Sequence, residues 1–278
     1  MSILTYNFES EYLKNNHEVT VILPDKPRAQ TPQDFYRSGR KYKVLWLLHG
    51  TFGDHSDWVR KTNIEMYATE HNLVVVMPSA LNSNYSNWDN CMMGFGMYDY
   101  LTEELMPLIY GWLPVSDKRE DNFIAGLSMG GRGTIKYAVN HPDKFAAAAV
   151  LSAAPLHFSL ISPGNPNMML DSSNSRTAAS IENAGGLEAY QNGPENVWAV
   201  IDKLAPTGKL PRLMFACGTE DALIYENLKV FRQHCQEIGL ACHSFIKEGY
   251  RHEWRFWDLA IQEALDFFGL TELGGNPY

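Results

Sequence analysis

The chain opens with two runs in which apolar and polar positions alternate, around Ile3–Phe8 and Val19–Leu23, with Lys14-Asn-Asn-His17 between them. A period of two predicts strands packed on one face, and the polar break joins them as an antiparallel hairpin. Residues 24–43 are polar and proline-rich, and predict a loop. The rhythm then changes to short continuous apolar runs, Val44–Leu48 and Leu73–Met77, followed later by Asn122–Ala125, Arg212–Ala216 and Cys242–Lys247. Strands covered on both faces of a parallel sheet have this pattern. Helical spacing occupies the stretches between them, near 57–71, 97–110, 130–140, 223–238 and 253–268. Pro107 kinks or ends the second of these. Residues 145–153 fit either period, and the alternation of elements assigns them to a strand.

Repeated strand–helix alternation predicts an α/β fold, a mostly parallel central sheet with helices on both faces, in one domain spanning 1–278. The alternation fails between about 155 and 208, where prolines, glycines and asparagines surround the apolar patch Met168–Leu170. A structureless loop of that length is rare in a compact domain. A small cap insertion of short helices over the sheet edge is the expectation.

Composition narrows the function classes. Of 278 residues, 45% are hydrophobic and 20% charged, so a core forms without staples or metals. A net charge of −9 argues against nucleic-acid partners and against anionic membranes. Four scattered cysteines, Cys91, Cys217, Cys235 and Cys242, show no metal-ligand spacing and read as thiols, although Cys235 and Cys242 are close enough in sequence for one bridge. The N-terminus lacks the basic and apolar regions of a signal peptide, and no run is long enough to span a membrane. A cytoplasmic protein is expected.

Gly126-Leu-Ser-Met-Gly130 fits G-x-S-x-G, with a short apolar strand before it and a helix-compatible run after it. That context predicts a turn so tight that only small residues fit two positions either side of the serine, which projects Ser128 at a helix N-terminus. There the free N–H groups favour developing negative charge. An oxyanion needs two donors. The first expectation is the Met129 N–H, and the second is the Thr51 N–H in the His49-Gly-Thr51 loop that follows Val44–Leu48. His49 itself is read as holding that loop.

A serine nucleophile in this setting takes an acid and then a histidine from later in the chain. His252 lies in Gly249–Glu253, between the last strand and the last helix, and is the expected base; His157 is a minor rival. Asp221, in the turn after Arg212–Ala216, is the expected acid, with Glu220 its local rival. Asp202 and Asp258 lack a strand-end position, and Asp258 is expected to face solvent. No metal or organic cofactor is required. Phe52, Trp88 and Trp198, with Met168–Leu170, are either substrate-pocket residues or core. The Trp254–Trp257 cluster serves either an interface between copies of the chain or the packing of the last helix.

The segments Leu47–Thr51, Tyr100–Leu105, Gly126–Gly133, Cys217–Asp221 and His252–Asp258 together resemble the esterase D group of α/β-hydrolases: tributyrin and acetyl esterases, feruloyl esterases and S-formylglutathione hydrolases. The resemblance covers most of the chain and is weakest at 155–208. It implies an α/β-hydrolase fold, a serine carboxylesterase acting on small-molecule esters, and frequent self-assembly. It carries nucleophile, acid and base onto Ser128, Asp221 and His252, and the oxyanion donors onto Met129 and Thr51. S-formylglutathione hydrolases typically have a cysteine just after the oxyanion loop, where this chain reads Thr51-Phe-Gly-Asp-His55. Short-chain acyl esters are therefore the first expectation, feruloyl or acetyl-xylan-type esters the alternative, with S-formylglutathione hydrolysis and then a catalytically silent binding module ranked behind them.

Overall fold

A computed structural model describes residues 2–270. Its strands are β1 (Ser2–Ser10), β2 (Asn15–Leu23), β3 (Val44–Leu48), β4 (Val74–Pro78), β5 (Asn87–Trp88), β6 (Phe95–Gly96), β7 (Asn122–Leu127), β8 (Ala147–Leu151), β9 (Arg212–Gly218) and β10 (Cys242–Lys247). Eight of them form one sheet in the order β1-β2-β4-β3-β7-β8-β9-β10, and β5 pairs only with β6. β2 is antiparallel to β1 and β4, and the rest of the sheet is parallel.

The continuous apolar runs follow from burial on two sides. Val44, Trp46 and Leu48 of β3 enter one core while Leu45 and Leu47 enter the other, and β7 and β8 divide their side chains in the same way. The first core lies under α5 (Met106–Trp112), α6 (Met129–Asn140), α9 (Val197–Leu204) and α10 (Tyr225–Glu237). The second lies under α2 (Asp57–Lys61), α3 (Ile64–Glu70) and α11 (Trp254–Phe268). This is the expected α/β arrangement.

Several boundaries differ from the sequence expectation for physical reasons. The hairpin turn falls at 11–14, and β2 starts at Asn15, because backbone pairing of Ser10 with Asn15 needs no apolar side chains. The loop at 24–43 contains one short helix, α1 (Pro32–Tyr36), capped by the Thr31 side chain accepting the Asp34 N–H. The stretch 57–71 is two helices, interrupted where Thr62 is extended and the Asn63 N–H is taken by the Asp258 carboxylate. Asp258 also accepts the Tyr67 hydroxyl, so it ties α11 to α3 rather than facing solvent as expected. Around Pro107, α4 (Met97–Asp99) runs into a wide π turn, Tyr100–Leu105, where the Met106 N–H reaches back five residues to the Leu101 carbonyl. Proline cannot supply the next N–H of the ladder, and the loosened turn absorbs that loss.

Between β8 and β9 the chain runs through short helices: a turn at Phe158–Leu160, α7 (Ser175–Asn183), α8 (Leu187–Asn192) and α9. This segment has a small core of its own, in which Phe158 stacks on Tyr190 at 4.7 Å. No helix among the described residues is long and apolar enough to cross a membrane. The thiols of Cys235 and Cys242 stand 3.6 Å apart, unbridged.

Candidate active site

Strand order reverses beside β3: the chain continues from β3 to β4 on one side and returns with β7 on the other. Loops leaving the carboxyl ends of strands at such a point diverge and leave a crevice. The loop after β3 and the turn after β7 both open into it.

The turn after β7 is as tight as the glycines imply. A Cβ on Gly126 would lie 2.6 Å from Gly130 backbone atoms, and one on Gly130 would lie 2.5 Å from the Leu48 carbonyl oxygen. Ser128, between them, is held at φ 53° and ψ −114°, a strained conformation for a residue with a side chain. Such strain costs about 1–3 kcal/mol and persists only where surrounding packing enforces it. It is enforced here by the close approach of β3 and by the Ser128 N–H bonding to the Leu151 carbonyl at 2.8 Å. The hydroxyl emerges at the start of α6, whose first N–H groups have no acceptor within the helix.

His252 and Asp221 arrive from the ends of β10 and β9. Ser128 Oγ lies 2.9 Å from His252 Nε2, and His252 Nδ1 lies 2.8 Å from Asp221 Oδ2. A carboxylate only accepts, so Nδ1 carries the proton and Nε2 is free to accept from the serine. Asp221 is fully buried, and its other oxygen accepts the Leu223 N–H at 3.2 Å. Burial, reinforced by Asp221, pushes the adjacent Cys217 thiol well above its ordinary value, so it stays neutral beside the carboxylate. Glu220 instead pairs with Arg251 at the surface (3.1 Å). His157 contacts Ser159 and Trp198 and does not line the cavity at Ser128.

The β3 loop is a turn closed by the Gly53 N–H on the Gly50 carbonyl, with Phe52 at φ 65°. His49 is buried under it: Nδ1–H donates to the Gly50 carbonyl (2.7 Å), and Nε2 accepts the Ala80 N–H (2.8 Å). Burial lowers the pKa of His49 although the Gly50 carbonyl opposes this, so the ring is held in the neutral form its two bonds require. Asn82 takes the Phe52 N–H at 2.8 Å. Thr51 and Met129 both border the cavity next to Ser128. The arrangement is chemically able to pass a serine proton to a histidine.

That cavity is about 830 Å³ and open to solvent. Phe52 lines it and is 91% exposed. Met168 and Met169 line it as well, whereas Leu170 belongs to the small core of the 155–208 segment. Two of the aromatic candidates are corrected. Trp198 is buried on α9 against His234 (4.4 Å) and Phe231 (5.3 Å), because α9 turns its Val197, Trp198 and Ile201 stripe onto the core. Trp88 donates its indole N–H to the Ser83 carbonyl (2.7 Å) and borders a separate cavity of about 220 Å³. Trp254 and Trp257 take the place of these two. Both line the Ser128 cavity, and Trp257 packs edge-on to His252 at 5.0 Å while bonding Ser152 Oγ at 3.0 Å. The His252–Asp258 segment carried that signal, since its tryptophans stand two and five positions after the base, in the first turn of the helix that follows it.

Residues 10–268 match the Esterase family, described as "Putative esterase". The chain belongs to the Esterase family. This esterase is 30% identical over 271 residues to an acetyl esterase of Caldicellulosiruptor saccharolyticus, covering 96% of this chain and 98% of that one. Among solved structures it is similar to FphF, a fluorophosphonate-binding serine hydrolase of Staphylococcus aureus, with a TM-score of 0.78 at 32% identity over 96% of this chain and 98% of that one. An S-formylglutathione hydrolase of Staphylococcus aureus is similar to the same degree, with a TM-score of 0.77 at 32% identity and the same coverage. A ferulic acid esterase shares the fold at 23% identity, with a TM-score of 0.68 over 96% and 97% of the two chains. The esterase is thus a serine carboxylic ester hydrolase of the α/β-hydrolase type.

Proposed function

We propose that the esterase cleaves short-chain acyl esters through Ser128, His252 and Asp221. The observation that carries this reading is the unbroken chain from Ser128 Oγ to His252 (2.9 Å) to Asp221 (2.8 Å) at the floor of an open cavity. His252 takes the Ser128 proton as Oγ attacks the ester carbonyl, and the Met129 and Thr51 N–H groups receive the oxyanion. The proton passes to the departing alcohol. Water, deprotonated by the same histidine, then releases the acid and restores the serine. No step needs a cofactor.

The similarity to an acetyl esterase supports a small acyl group. The cavity is far larger than an acetyl group; the 155–208 segment walls it as a cap, and the remaining space is left for the leaving group. A second reading, hydrolysis of a glutathione thioester, is favoured by the equally similar S-formylglutathione hydrolase, and the absence of a cysteine at Thr51–His55 weighs against it. The deciding experiment follows p-nitrophenyl acetate, butyrate and octanoate, methyl ferulate and S-formylglutathione with wild type and Ser128→Ala. Highest kcat/KM on acetate or butyrate, lost by orders of magnitude in the variant, supports the proposal. Preference for octanoate or for the thioester overturns the short-chain reading, and equal rates in both proteins overturn Ser128 as nucleophile.

A further inference from the structure

Two guanidinium groups face the Ser128 cavity without a carboxylate to answer them. Arg132 stands one turn beyond Ser128 on α6, its backbone N–H on the Ser128 carbonyl at 3.0 Å, and its side chain contacts Met169 Sδ at 3.3 Å. Arg176, the second residue of α7, reaches from the 155–208 segment to Asn84 Oδ1 (3.0 Å) and Thr51 Oγ1 (3.4 Å). Each of these partners is neutral. The other lysine and carboxylates in the wall are matched, Asp57 with Lys61 (2.9 Å) and Glu226 with Lys229 (2.7 Å). Among the described residues, neither arginine has an ion-pair partner.

The helices sharpen the imbalance. Both arginines sit near helix N-termini, where the positive end of the macrodipole disfavours a cation, and neither α6 nor α7 has an acidic residue in its first turn. Partial desolvation, and then repulsion from Arg132, lower Arg176 from its ordinary value. A guanidinium nevertheless stays charged. Acidic partners are not scarce in a chain with 32 Asp and Glu against 23 Lys and Arg, so two unmatched cations at one cavity are unexpected in a purely structural role. Two guanidiniums lining one cavity make a site for an anion.

We propose that Arg132 and Arg176 bind a carboxylate carried by the ester substrate, on its acyl chain or on its leaving group. The proposal rests on the esterase reading above and narrows its substrate class. Trp254, Trp257, Met168 and Leu127 give the same cavity apolar surface. The preferred substrate is therefore amphipathic: a scissile ester, an apolar spacer and a terminal carboxylate.

Two matched substrate pairs test this and locate the charge. Monophenyl adipate against phenyl hexanoate places the anion on the acyl side. The pair 3-(4-acetoxyphenyl)propionate and its primary amide places it on the leaving-group side, insulated from the reacting bond. In at least one pair the wild type is expected to favour the anionic member in kcat/KM by about ten- to hundredfold, the range of a charge-assisted hydrogen bond. Arg176→Gln and Arg132→Gln should each bring that ratio toward one, chiefly through KM, whatever their effect on absolute rates. Added salt should raise KM for the anionic member alone. A wild-type ratio of one or less in both pairs overturns the assignment, as does a ratio that survives both substitutions. Inactivity on all four esters overturns the short-chain reading on which the proposal rests, whereas activity with flat ratios overturns the arginine assignment alone.

Discussion

Replacing Asp221 with asparagine isolates what its charge contributes, because the amide keeps the shape of the carboxylate in a site with no solvent exposure. In the resting enzyme Asp221 Oδ2 accepts from His252 Nδ1 at 2.8 Å, which sets the tautomer. In the proposed mechanism the ring becomes an imidazolium during attack on the ester. With the charge centres roughly 4 Å apart and an effective dielectric near 20, the carboxylate stabilises that cation by about 4 kcal/mol. At about 1.4 kcal/mol per tenfold, this is about three decades in kcat. An asparagine that turns its NH2 toward Nδ1 adds a further loss, since the ring must then carry its proton on Nε2 and cannot accept from Ser128. The expected fall in kcat on p-nitrophenyl acetate is about 10³- to 10⁴-fold, with little change in melting temperature. Glu220→Gln, altering an exposed carboxylate paired with Arg251, should stay within about threefold of wild type, as surface ion pairs contribute little. An Asp221→Asn enzyme within tenfold of wild type, or a Glu220→Gln enzyme that loses as much, would refute the assignment of the acid.

Three further outcomes follow from the geometry. Lys136 is fully buried and donates to Glu195 (2.7 Å), Ser86 Oγ (2.8 Å) and the Asn84 carbonyl (3.1 Å), so Lys136→Met removes three hydrogen bonds and leaves the Glu195 carboxylate without its cation, and should cost about 3 kcal/mol, read as a melting temperature about 6 °C lower; a shift under 2 °C would contradict it. Trp198→Ala, in the core, should destabilise by about 3–5 kcal/mol, whereas Phe52→Ala, 91% exposed, should leave the denaturation midpoint unchanged and alter KM; the reverse pattern would restore Trp198 to the pocket. Burial depresses the pKa of both His49 and His17, so the unfolded chain binds protons first as pH falls and stability is lost below about 6.5. Thermal melts between pH 7.5 and 5 should show that decline, and His49→Gln should flatten it; an identical slope in the variant would remove His49 as a contributor.

The parts of the molecule legible in the sequence are those determined by short-range constraints. Burial of β3 and β7 on both faces forces continuous apolar runs, and the mutual contact of Gly126 and Gly130 forces small residues two positions either side of Ser128. His252 and Asp221 were identifiable because each lies just beyond a recognisable strand, and a parallel sheet gathers such loops at one edge. The hairpin boundary was less legible. Its register is fixed by backbone pairing that continues through Asn15 and Asn16, whose side chains are exposed and carry no apolar signal.

The cavity walls were the least legible, and the reason is directional. Periodicity says that a helix has an apolar side but not which neighbour that side meets. In the sequence Trp198 fits a pocket wall as well as a core; the structure packs its face of α9 against α6 and Phe231 of α10. Arg132 and Arg176 are 44 positions apart in the chain, and nothing local to either predicts that they share a cavity. Charge patterning along the sequence treats each as an ordinary solvated residue. The pairs Asp57–Lys61 and Glu226–Lys229 are local, four and three positions apart, but only the fold shows that their carboxylates stand in the same wall as the two arginines. The chemistry common to serine hydrolases is thus encoded in local motifs on the sheet, while selection among substrates is left to side chains from distant segments, whose meaning depends on which partners the fold denies them.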